Sequence, residues 1–271
     1  MSKKVRLDIF LFTKGFVDSR QKAQRLILAG KVKNKNGKIL DKPGQEILPE
    51  SQIIISAEPK YVSRGGDKLS EAFQKFPLNV KGRTCIDAGI STGGFTDCLL
   101  QNGAKKIYGI DVGYGQTSWK IRENPKVKLL ERTNIRFLKS ENIFSKEDIF
   151  PDFVVADLSF ISLKLVLKPI EDLLNKEFFE GIFLIKPQFE VGKEYVSKGG
   201  VVKEFKFHIL ALNSVIDAIK NLNWHINGLI ASPLVGPAGN HEYLIWISKV
   251  KVNEFSVNEE FLHKLVKQTL V

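Results

Sequence analysis

Four short apolar runs along the chain each end at a charged residue, and segments with helical spacing separate them. The runs lie at 83–87, 106–112, 153–157 and 181–186. Helices are predicted in the gaps between the runs, for example at 163–174 and 207–222. Apolar runs of this length that alternate with helices predict a mostly parallel sheet with helices on both faces. Two later runs, at 224–232 and 243–250, are close enough in sequence to form an antiparallel pair at one edge. The chain is therefore predicted to contain an α/β domain of the Rossmann-like type.

Charged residues stand at the ends of these predicted strands. They are Asp87, Asp111, Asp157 and Lys186. In open parallel sheets, ligands bind beyond the carboxyl ends of the strands. One polar residue at a strand end is unremarkable because the chain leaves the core there. Four charged residues at four successive strand ends favour a binding or catalytic site.

The turn after the first run contains three glycines, Gly89, Gly93 and Gly94, which would let a ligand approach the backbone. Asp111 ends the next run, where a carboxylate can accept hydrogen bonds from ribose hydroxyls. A dinucleotide site would need the spacing G-x-G-x-x-G, whereas this turn reads G-x-x-x-G-G and follows Asp87. A carboxylate repels a pyrophosphate but suits a cationic ligand. S-adenosylmethionine is therefore favoured over the nicotinamide cofactor of an oxidoreductase.

Composition excludes several other classes of protein. Hydrophobic residues make up 43% and charged residues 26% of the 271 residues, as in globular proteins. No apolar run approaches the ~18–20 residues that cross a bilayer, and the apolar stretch near the start is too short for a signal peptide. Two cysteines and four scattered histidines make neither a disulfide framework nor a zinc site. We expect a cytoplasmic protein without membrane segment or metal.

The positive charge is concentrated at the N-terminus, where the first 60 residues hold 13 Lys and Arg against 6 Asp and Glu. A basic amphipathic helix is predicted from a cap at Asp18 or Ser19 to Gly30. Lys31, Lys33 and Lys35 then alternate with other residues, which predicts a short strand with three ammonium groups on one side. A solvated surface is the simpler interpretation of such charge. The compact pattern favours folded RNA over a membrane, which would require one long amphipathic helix.

Residues 5–58 resemble the RNA-binding domain named after the fourth small-subunit ribosomal protein. The resemblance is carried by Arg6-Leu7-Asp8, Ser19-Arg20, Lys22-Ala23, Ala29-Gly30-Lys31-Val32 and Lys42-Pro43-Gly44. Modules of this kind recognise RNA shape and phosphates. The basic residues predicted to contact RNA are Lys3, Lys4, Arg6, Arg20, Lys22, Arg25, Lys31, Lys33, Lys35 and Arg64.

The chain as a whole looks like the TlyA family of ribosomal RNA 2′-O-methyltransferases, also called hemolysin A, and its catalytic part resembles the FtsJ-type methyltransferases. The motifs that carry this resemblance include Tyr61-Val62-Ser63-Arg64-Gly65-Gly66, Asp87-Ala88-Gly89-Ile90-Ser91-Thr92-Gly93-Gly94-Phe95, Asp111-Val112-Gly113-Tyr114-Gly115-Gln116, Arg132-Thr133-Asn134-Ile135-Arg136, Asp157-Leu158-Ser159-Phe160, Ile185-Lys186-Pro187-Gln188-Phe189-Glu190 and Gly239-Asn240-His241-Glu242-Tyr243. Asp67 departs from the family, which usually has an apolar residue at that position.

The resemblance implies a catalytic tetrad formed by Lys68, Asp157, Lys186 and Glu242. A ribose 2′-hydroxyl is a poor acid and must lose its proton as it attacks a methyl group. A neutral lysine can accept that proton, and burial and a neighbouring ammonium favour the neutral form of a lysine. Lys186 is the predicted base and Lys68 the second positive charge that holds the nucleophile. The two carboxylates are expected to fix the lysine side chains.

The predicted cofactor residues lie in the turn, at the strand ends and in the motifs that follow. They are Asp87, Gly89, Ser91, Thr92, Gly93, Gly94, Phe95, Asp111, Val112, Asn134, Ile135, Asp157 and Phe160. The implied activity is S-adenosylmethionine-dependent methylation of a ribose 2′-hydroxyl, with cytidine suggested by the resemblance, in ribosomal RNA or ribosomal subunits. Two alternatives stay open: a membrane-active hemolysin, and an RNA-binding ribosome-assembly factor without catalysis.

Four segments are predicted along the chain. They are a small α+β RNA-binding domain at 1–58, a linker at 59–62 that begins at a proline, a methyltransferase domain at 63–250, and a helical C-terminal segment at 251–271. Within the small domain, strands are also expected at 38–40 and 52–56.

Overall fold

The computed structural model describes residues 4–56, 59–145 and 148–270. The chain divides into two compact units, Met1–Pro59 and Lys60–Val271. Tyr61 and Val62, which were predicted as linker, belong to the larger unit. Tyr61 is buried in its core, and the backbone N–H of Val62 donates to the Asp97 carboxylate at 3.0 Å.

The small unit consists of two helices and two antiparallel strand pairs. Its elements are β1 (Val5–Arg6), α1 (Leu7–Thr13), α2 (Arg20–Leu28), β2 (Val32–Asn34), β3 (Glu46–Ile47) and β4 (Ile53–Ile55). Strand β1 pairs with β3 and β2 with β4. The Ser19 hydroxyl accepts a hydrogen bond from the Lys22 N–H, so the predicted cap begins α2. Leu7, Leu11 and Ile27 are fully buried between the helices.

The basic strand of the small unit is shorter than predicted. Strand β2 contains Lys33, whereas Lys31 precedes the strand and Lys35 lies in the turn after it. The Asn34 side chain accepts hydrogen bonds from the backbone N–H groups two and four residues further along, which turns the chain at once. The return strand predicted at 38–40 is accordingly reduced to a single bridge.

The larger unit is a seven-stranded sheet with helices packed on it. Its strands are β5 (Thr84–Ala88), β6 (Lys106–Ile110), β7 (Val127–Leu130), β8 (Phe153–Ala156), β9 (Glu180–Ile185), β10 (His225–Ala231) and β11 (Tyr243–Ser248). Its helices are α3 (Gly65–Lys75), α4 (Gly94–Gln101), α5 (Trp119–Arg122), α6 (Leu167–Asp172), α7 (Pro187–Glu190), α8 (Phe205–Asn221) and α9 (Glu259–Thr269).

The strand order across this sheet is β10-β11-β9-β8-β5-β6-β7. Strand β11 pairs antiparallel with both β9 and β10, and the other neighbours are parallel. The predicted Rossmann-like fold and its antiparallel edge pair are therefore confirmed.

Successive side chains of the central strands lie on opposite faces of the sheet and are buried in two different hydrophobic cores. Because both faces are buried, the sequence of each strand is a continuous apolar run. Ile86 and Val154 pack on one face with residues of α6, α8 and α9. Cys85 and Val155 pack on the other face with residues of α3 and α4. Both cysteines of the chain are buried there, as expected for packing residues.

Three segments differ from the sequence-based prediction. Strand β7 was missed because it is a four-residue, half-buried edge strand. The helix predicted at 163–174 is split into a 3₁₀ turn and α6, because Pro169 lacks an N–H and is accommodated only in a first helical turn. In the C-terminal segment, helix covers α9 alone, which inserts Leu262 and Val266 into the core.

Among the residues that the structure describes, no helix is both long and apolar enough to cross a membrane. The same residues contain no group of three or more His, Cys, Asp or Glu side chains that could hold a metal ion.

Candidate active site

Two adjoining clefts lie at the carboxyl ends of β5, β6, β8 and β9. The larger cleft, of about 970 Å³, includes Asp111, Asn134 and Phe160 in its lining. The smaller cleft, of about 480 Å³, is lined by residues that include Lys68, Lys186 and Glu242. The linings of both clefts contain Gly89, Ser91, Asp157 and Ser159. A molecule bound in one cleft would therefore contact a molecule bound in the other.

The glycine turn between β5 and α4 forms the common wall of the clefts. Gly89 has a φ of +87°, and a Cβ at this position would lie 2.8 Å from the Asp157 carbonyl oxygen. Ser91 also adopts a left-handed conformation, with a φ of +47°. Left-handed backbone in a residue other than glycine is strained and persists where the surroundings enforce it. The conformation of this turn thus allows the end of β8 to lie close to the turn's backbone.

Asp111 holds the turn in place on the β6 side. Its Oδ2 accepts the backbone N–H of Ser91 at 2.8 Å, and its Oδ1 accepts the backbone N–H of Gly113 at 2.7 Å. Each carboxylate oxygen retains a lone pair, and the side chain lines the larger cleft. Asp111 can therefore bind hydroxyl groups there while it fixes the loop.

Asp87 lies beneath the turn and lines neither cleft. It is fully buried, its Oδ2 accepts the Thr96 hydroxyl at 2.6 Å, and its Oδ1 has no hydrogen-bond partner in the structure. Burial, reinforced by the negative charges of Asp157 and Asp111, raises the pKa of the Asp87 carboxyl to about 7. The predicted direct contact between Asp87 and a cofactor is therefore not supported.

We expect Asp87→Asn to stabilise the protein relative to the wild type, increasingly as the pH rises. The folded carboxyl keeps its proton up to a pH of about 7, whereas the unfolded one releases it near its ordinary pKa of 3.8. Between these values the wild type loses about 1.4 kcal/mol of unfolding free energy per pH unit through this group, and the amide does not. Chemical denaturation of both proteins from pH 4.5 to 8 measures the difference. A difference that is constant with pH would contradict the buried, protonated state.

The smaller cleft contains two lysine–carboxylate pairs. Lys68 Nζ lies 2.5 Å from Glu242 Oε2, and Lys186 Nζ lies 2.6 Å from Asp157 Oδ1. Lys186 also donates to the Ser159 hydroxyl at 2.8 Å. Both lysines and Glu242 are buried, whereas the Asp157 side chain is partly exposed. All four members of the predicted tetrad thus line one cleft.

Each member of the tetrad is carried by a different element. Lys68 lies in α3, Asp157 and Lys186 directly follow β8 and β9, and Glu242 directly precedes β11. Adjacent pairing of β8 with β9 and of β9 with β11 brings three of them together at one sheet edge. Pro187 at the first position of α7 stops β9 just after Lys186.

Two buried polar residues that support the site had been given no role from the sequence. The Asn240 side chain donates to the Gly200 carbonyl at 2.7 Å and accepts the Val202 N–H at 2.9 Å, which ties the loop before Glu242 to a neighbouring turn. Glu190 accepts the Ser162 hydroxyl at 2.6 Å, and burial raises its pKa. A single sequence contains no signal for such roles, because these contacts join residues that are far apart along the chain.

Phe160 is unusual among the aromatic residues of the chain because 91% of its surface is exposed. Its φ is +64°, and its ring lies 5.3 Å from that of Phe189. An exposed aromatic ring on strained backbone at the rim of a cleft is typical of a ligand-binding residue.

The other predicted cofactor residues are divided between the clefts. The larger cleft contains Val112, Asn134 and Ile135, and the smaller cleft contains Thr92, Gly94 and Phe95. Gly93 lines neither cleft but begins α4 with a φ of +96°. The predicted cofactor residues thus all lie at one end of the sheet, with Asp87 buried beneath the turn and outside both clefts.

The predicted RNA-binding residues lie on the surface of the units that carry them. In the small unit these are Lys4, Arg6, Arg20, Lys22, Arg25, Lys31, Lys33 and Lys35, all exposed or half-buried, while Lys3 lies outside the described residues. In the larger unit, Arg64 lines the smaller cleft and donates to the Val235 carbonyl at 2.8 Å.

The fold and the clefts define a Rossmann-like methyltransferase, and comparisons with known proteins agree. The model of the FtsJ-like methyltransferase family matches residues 61–249, and that of the S4 domain matches residues 5–53. The chain is 40% identical over 272 residues to a 16S/23S rRNA (cytidine-2′-O)-methyltransferase, TlyA, of Mycobacterium tuberculosis, with 99% of each chain covered.

Further similarity is found to Hemolysin A of Brachyspira hyodysenteriae, which is 40% identical over 241 residues and covers 89% of this chain and 98% of the relative. A solved structure from Streptococcus thermophilus that carries a hemolysin name superimposes with a TM-score of 0.73 at 36% identity, covering 99% of this chain and 96% of the other. The chain therefore belongs to the TlyA family of FtsJ-like methyltransferases with an N-terminal S4 domain.

Proposed function

We propose that this protein transfers a methyl group from S-adenosylmethionine to the 2′-hydroxyl of a cytidine ribose in ribosomal RNA. The observation that carries the proposal is the pair of buried lysine–carboxylate contacts in the smaller cleft, directly beside the larger cleft. The names of the relatives support the choice of cytidine and of ribosomal RNA. Such a substrate implies that the protein acts where ribosomes are, in the cytoplasm.

The larger cleft has the chemistry that S-adenosylmethionine requires. Asp111 offers acceptors for ribose hydroxyls, Asp157 offers negative charge for a sulfonium or ammonium group, and Phe160 offers an exposed ring. The residues present therefore fit this cofactor. When bound, it supplies an electrophilic methyl group on a positively charged sulfur.

We expect Asp111→Ala to weaken S-adenosylmethionine binding by about 1.5–3 kcal/mol, the scale of a lost charged hydrogen bond. Isothermal titration calorimetry measures the affinity. Glu123→Ala, which removes the same charge from an exposed position, is the matched control and should bind normally. An unchanged affinity for Asp111→Ala would assign the ribose to another acceptor.

The residues of the smaller cleft then perform the proton transfer. In its unprotonated form, Lys186 would accept the proton that the 2′-hydroxyl loses as the methyl group passes from the cofactor sulfur, whose bond to it breaks, to the ribose oxygen. Asp157 and Ser159 hold the Lys186 Nζ in position before and after that transfer. Lys68, held by Glu242, places an ammonium group near the oxygen as negative charge develops there.

The small unit is the proposed RNA-binding part. It contains the S4 domain and holds 12 Lys and Arg against 6 Asp and Glu, more than half of the net charge of +11, and the basic side chains predicted to contact RNA reach its surface. Phosphate contacts of this kind supply affinity, while the clefts of the larger unit supply the chemistry.

Mass mapping of ribosomal RNA tests the proposed function. RNA from cells with and without this protein is digested and compared, and the purified protein is added back to unmodified subunits with S-adenosylmethionine. We expect a 2′-O-methylcytidine that depends on the protein and on Lys186. No methylation together with tight subunit binding would favour the assembly factor, and lysis of erythrocytes by the purified protein without methylation would favour the hemolysin.

A further inference from the structure

A buried carboxylate lies among the basic side chains of the small unit. Asp8 has no exposed surface, yet it accepts five hydrogen bonds. Its Oδ1 accepts Arg6 Nε at 3.1 Å and the Ile9 backbone N–H at 3.0 Å. Its Oδ2 accepts Arg6 Nη2 at 3.1 Å, and both Arg20 Nε and Gln24 Nε2 at 2.9 Å.

The two arginines that Asp8 binds remain accessible to a ligand. Their side chains are 45% and 48% exposed, for Arg6 and Arg20 respectively. Among the residues that the structure describes, Nη1 of Arg6 and both Nη atoms of Arg20 have no hydrogen-bond partner. Each guanidinium is thus fixed at one end, with free N–H groups at the other.

The surroundings of Asp8 restrict these side chains further. The Asp8 N–H donates to the Pro43 carbonyl at 3.1 Å, which brings the 42–44 loop against α1. A Cβ on Gly44 would lie 3.4 Å from Arg6 Nη1, an ordinary contact distance, so this loop lies against the guanidinium. The Arg6 guanidinium holds the pKa of Asp8 well below its usual range, so the carboxylate stays charged at any working pH.

An acidic side chain beneath a basic surface weakens the attraction of that surface for a polyanion. It must therefore contribute something other than charge. An exposed arginine normally loses side-chain entropy when a ligand immobilises it. Two arginines that are already immobilised by one carboxylate avoid most of that loss, and their planar donors are aimed in advance.

We infer that Asp8 is a positioning residue that orders Arg6 and Arg20 as a rigid pair of donors for RNA phosphates. The inference rests on the proposed function of the small unit, but it concerns a residue whose charge opposes that function. From charge alone, removal of a negative side chain near the RNA is expected to strengthen binding. The inference predicts the opposite: removal of the Asp8 carboxylate weakens RNA binding.

Asp8→Asn in the full chain tests this consequence. We measure binding to purified ribosomal subunits, large and small, from cells that lack the protein, over a series of salt concentrations. We expect an affinity roughly tenfold lower than that of the wild type. The slope of log affinity against log salt should become shallower by about one unit for each phosphate contact that is lost.

Asp18→Asn is the matched control. It removes the same charge from the same unit, but the Asp18 side chain is 74% exposed and pairs with Lys22. This control should bind subunits as tightly as the wild type or slightly more tightly. In methylation assays, Asp8→Asn should raise the KM for RNA and leave kcat unchanged at saturating RNA, a distinction that general loss of folded protein does not produce.

A second pair of variants covers the case in which Asp8→Asn does not fold. The double variant Arg6→Lys with Arg20→Lys keeps every charge but loses the planar donors. It should bind several-fold more weakly than Arg132→Lys, which makes the same exchange at an exposed arginine outside the predicted RNA-binding residues. Thermal unfolding and cofactor titration establish that each protein is folded. Binding by folded Asp8→Asn as tight as that of Asp18→Asn, or equal binding by the two lysine variants, would overturn the inference. Wild-type protein that neither binds nor methylates subunits would instead overturn the proposed function.

Discussion

Lys186→Ala should lower the rate of methyl transfer by at least about 100-fold, the typical effect of losing a general base. Cofactor affinity should be nearly unchanged, because Lys186 lines the smaller cleft and not the larger one. Single-turnover methylation of unmodified subunits with saturating S-adenosylmethionine measures the chemical step without product release. Lys164→Ala removes an exposed lysine near the clefts and serves as the control.

The pH dependence of the rate separates a base from a binding residue. Only a neutral amine accepts a proton, so the wild-type rate should rise with pH over the alkaline range in which protein and RNA stay intact. The residual rate of Lys186→Ala should lose this rise. Near-normal single-turnover methylation by the variant would assign the proton transfer to another group.

The second large effect is expected from removal of the small unit. A protein that begins at Lys60 should fold, because the larger unit has its own two hydrophobic cores. It should bind S-adenosylmethionine about as well as the full chain, since both clefts are lined by residues after Lys60. Its affinity for ribosomal subunits should fall by roughly 100-fold at physiological salt, because phosphate contacts supply much of the binding.

Charge reversal in the full chain is the matched comparison for this truncation. Arg20→Glu, Lys31→Glu and Lys33→Glu together should reproduce the loss of RNA affinity and make its salt dependence shallower. Methylation at limiting RNA should fall in parallel. A truncated protein that methylates at the full-length rate, with RNA below saturation and at physiological salt, would show that the N-terminal charge is only a solvated surface.

Much of the fold could be predicted because the apolar pattern of the central strands matches their burial in the folded sheet. Residues 84–88 and 153–156 read as apolar runs because both of their faces are buried, and few other environments produce that pattern. The helix that begins at Ser19 was predicted for the same kind of reason, since its cap is a local contact. Strand β7 lacks such a pattern because an edge strand is only half buried.

The residues of the candidate site could be predicted from the sequence, but the contacts between them could not. Asp111, Asp157 and Lys186 were found because strand ends are visible in the sequence, whereas Lys68 and Glu242 came from family resemblance. Asp87 shows that a position at a strand end does not determine where its side chain lies. It ends a strand like the others, but the structure turns its side chain beneath the loop, where Thr96 is its partner.

The sequence by itself determined the elements and the class of chemistry. Strand periodicity, helix caps, the glycine turn and the charge at strand ends are local properties, and they depend on residues within a few positions of one another. Only the tertiary structure decided which charges pair. Lys68 of α3 meets Glu242 across 174 residues, and Glu242 lies beside the end of β9, where Lys186 follows, because β11 pairs antiparallel with β9. Asp8 pairs locally with Arg6, but it reaches Arg20, twelve residues further along the chain, only because α1 packs against α2. Such contacts form only when helices and strands pack against one another. The sequence does not show which distant residues this packing will bring into contact.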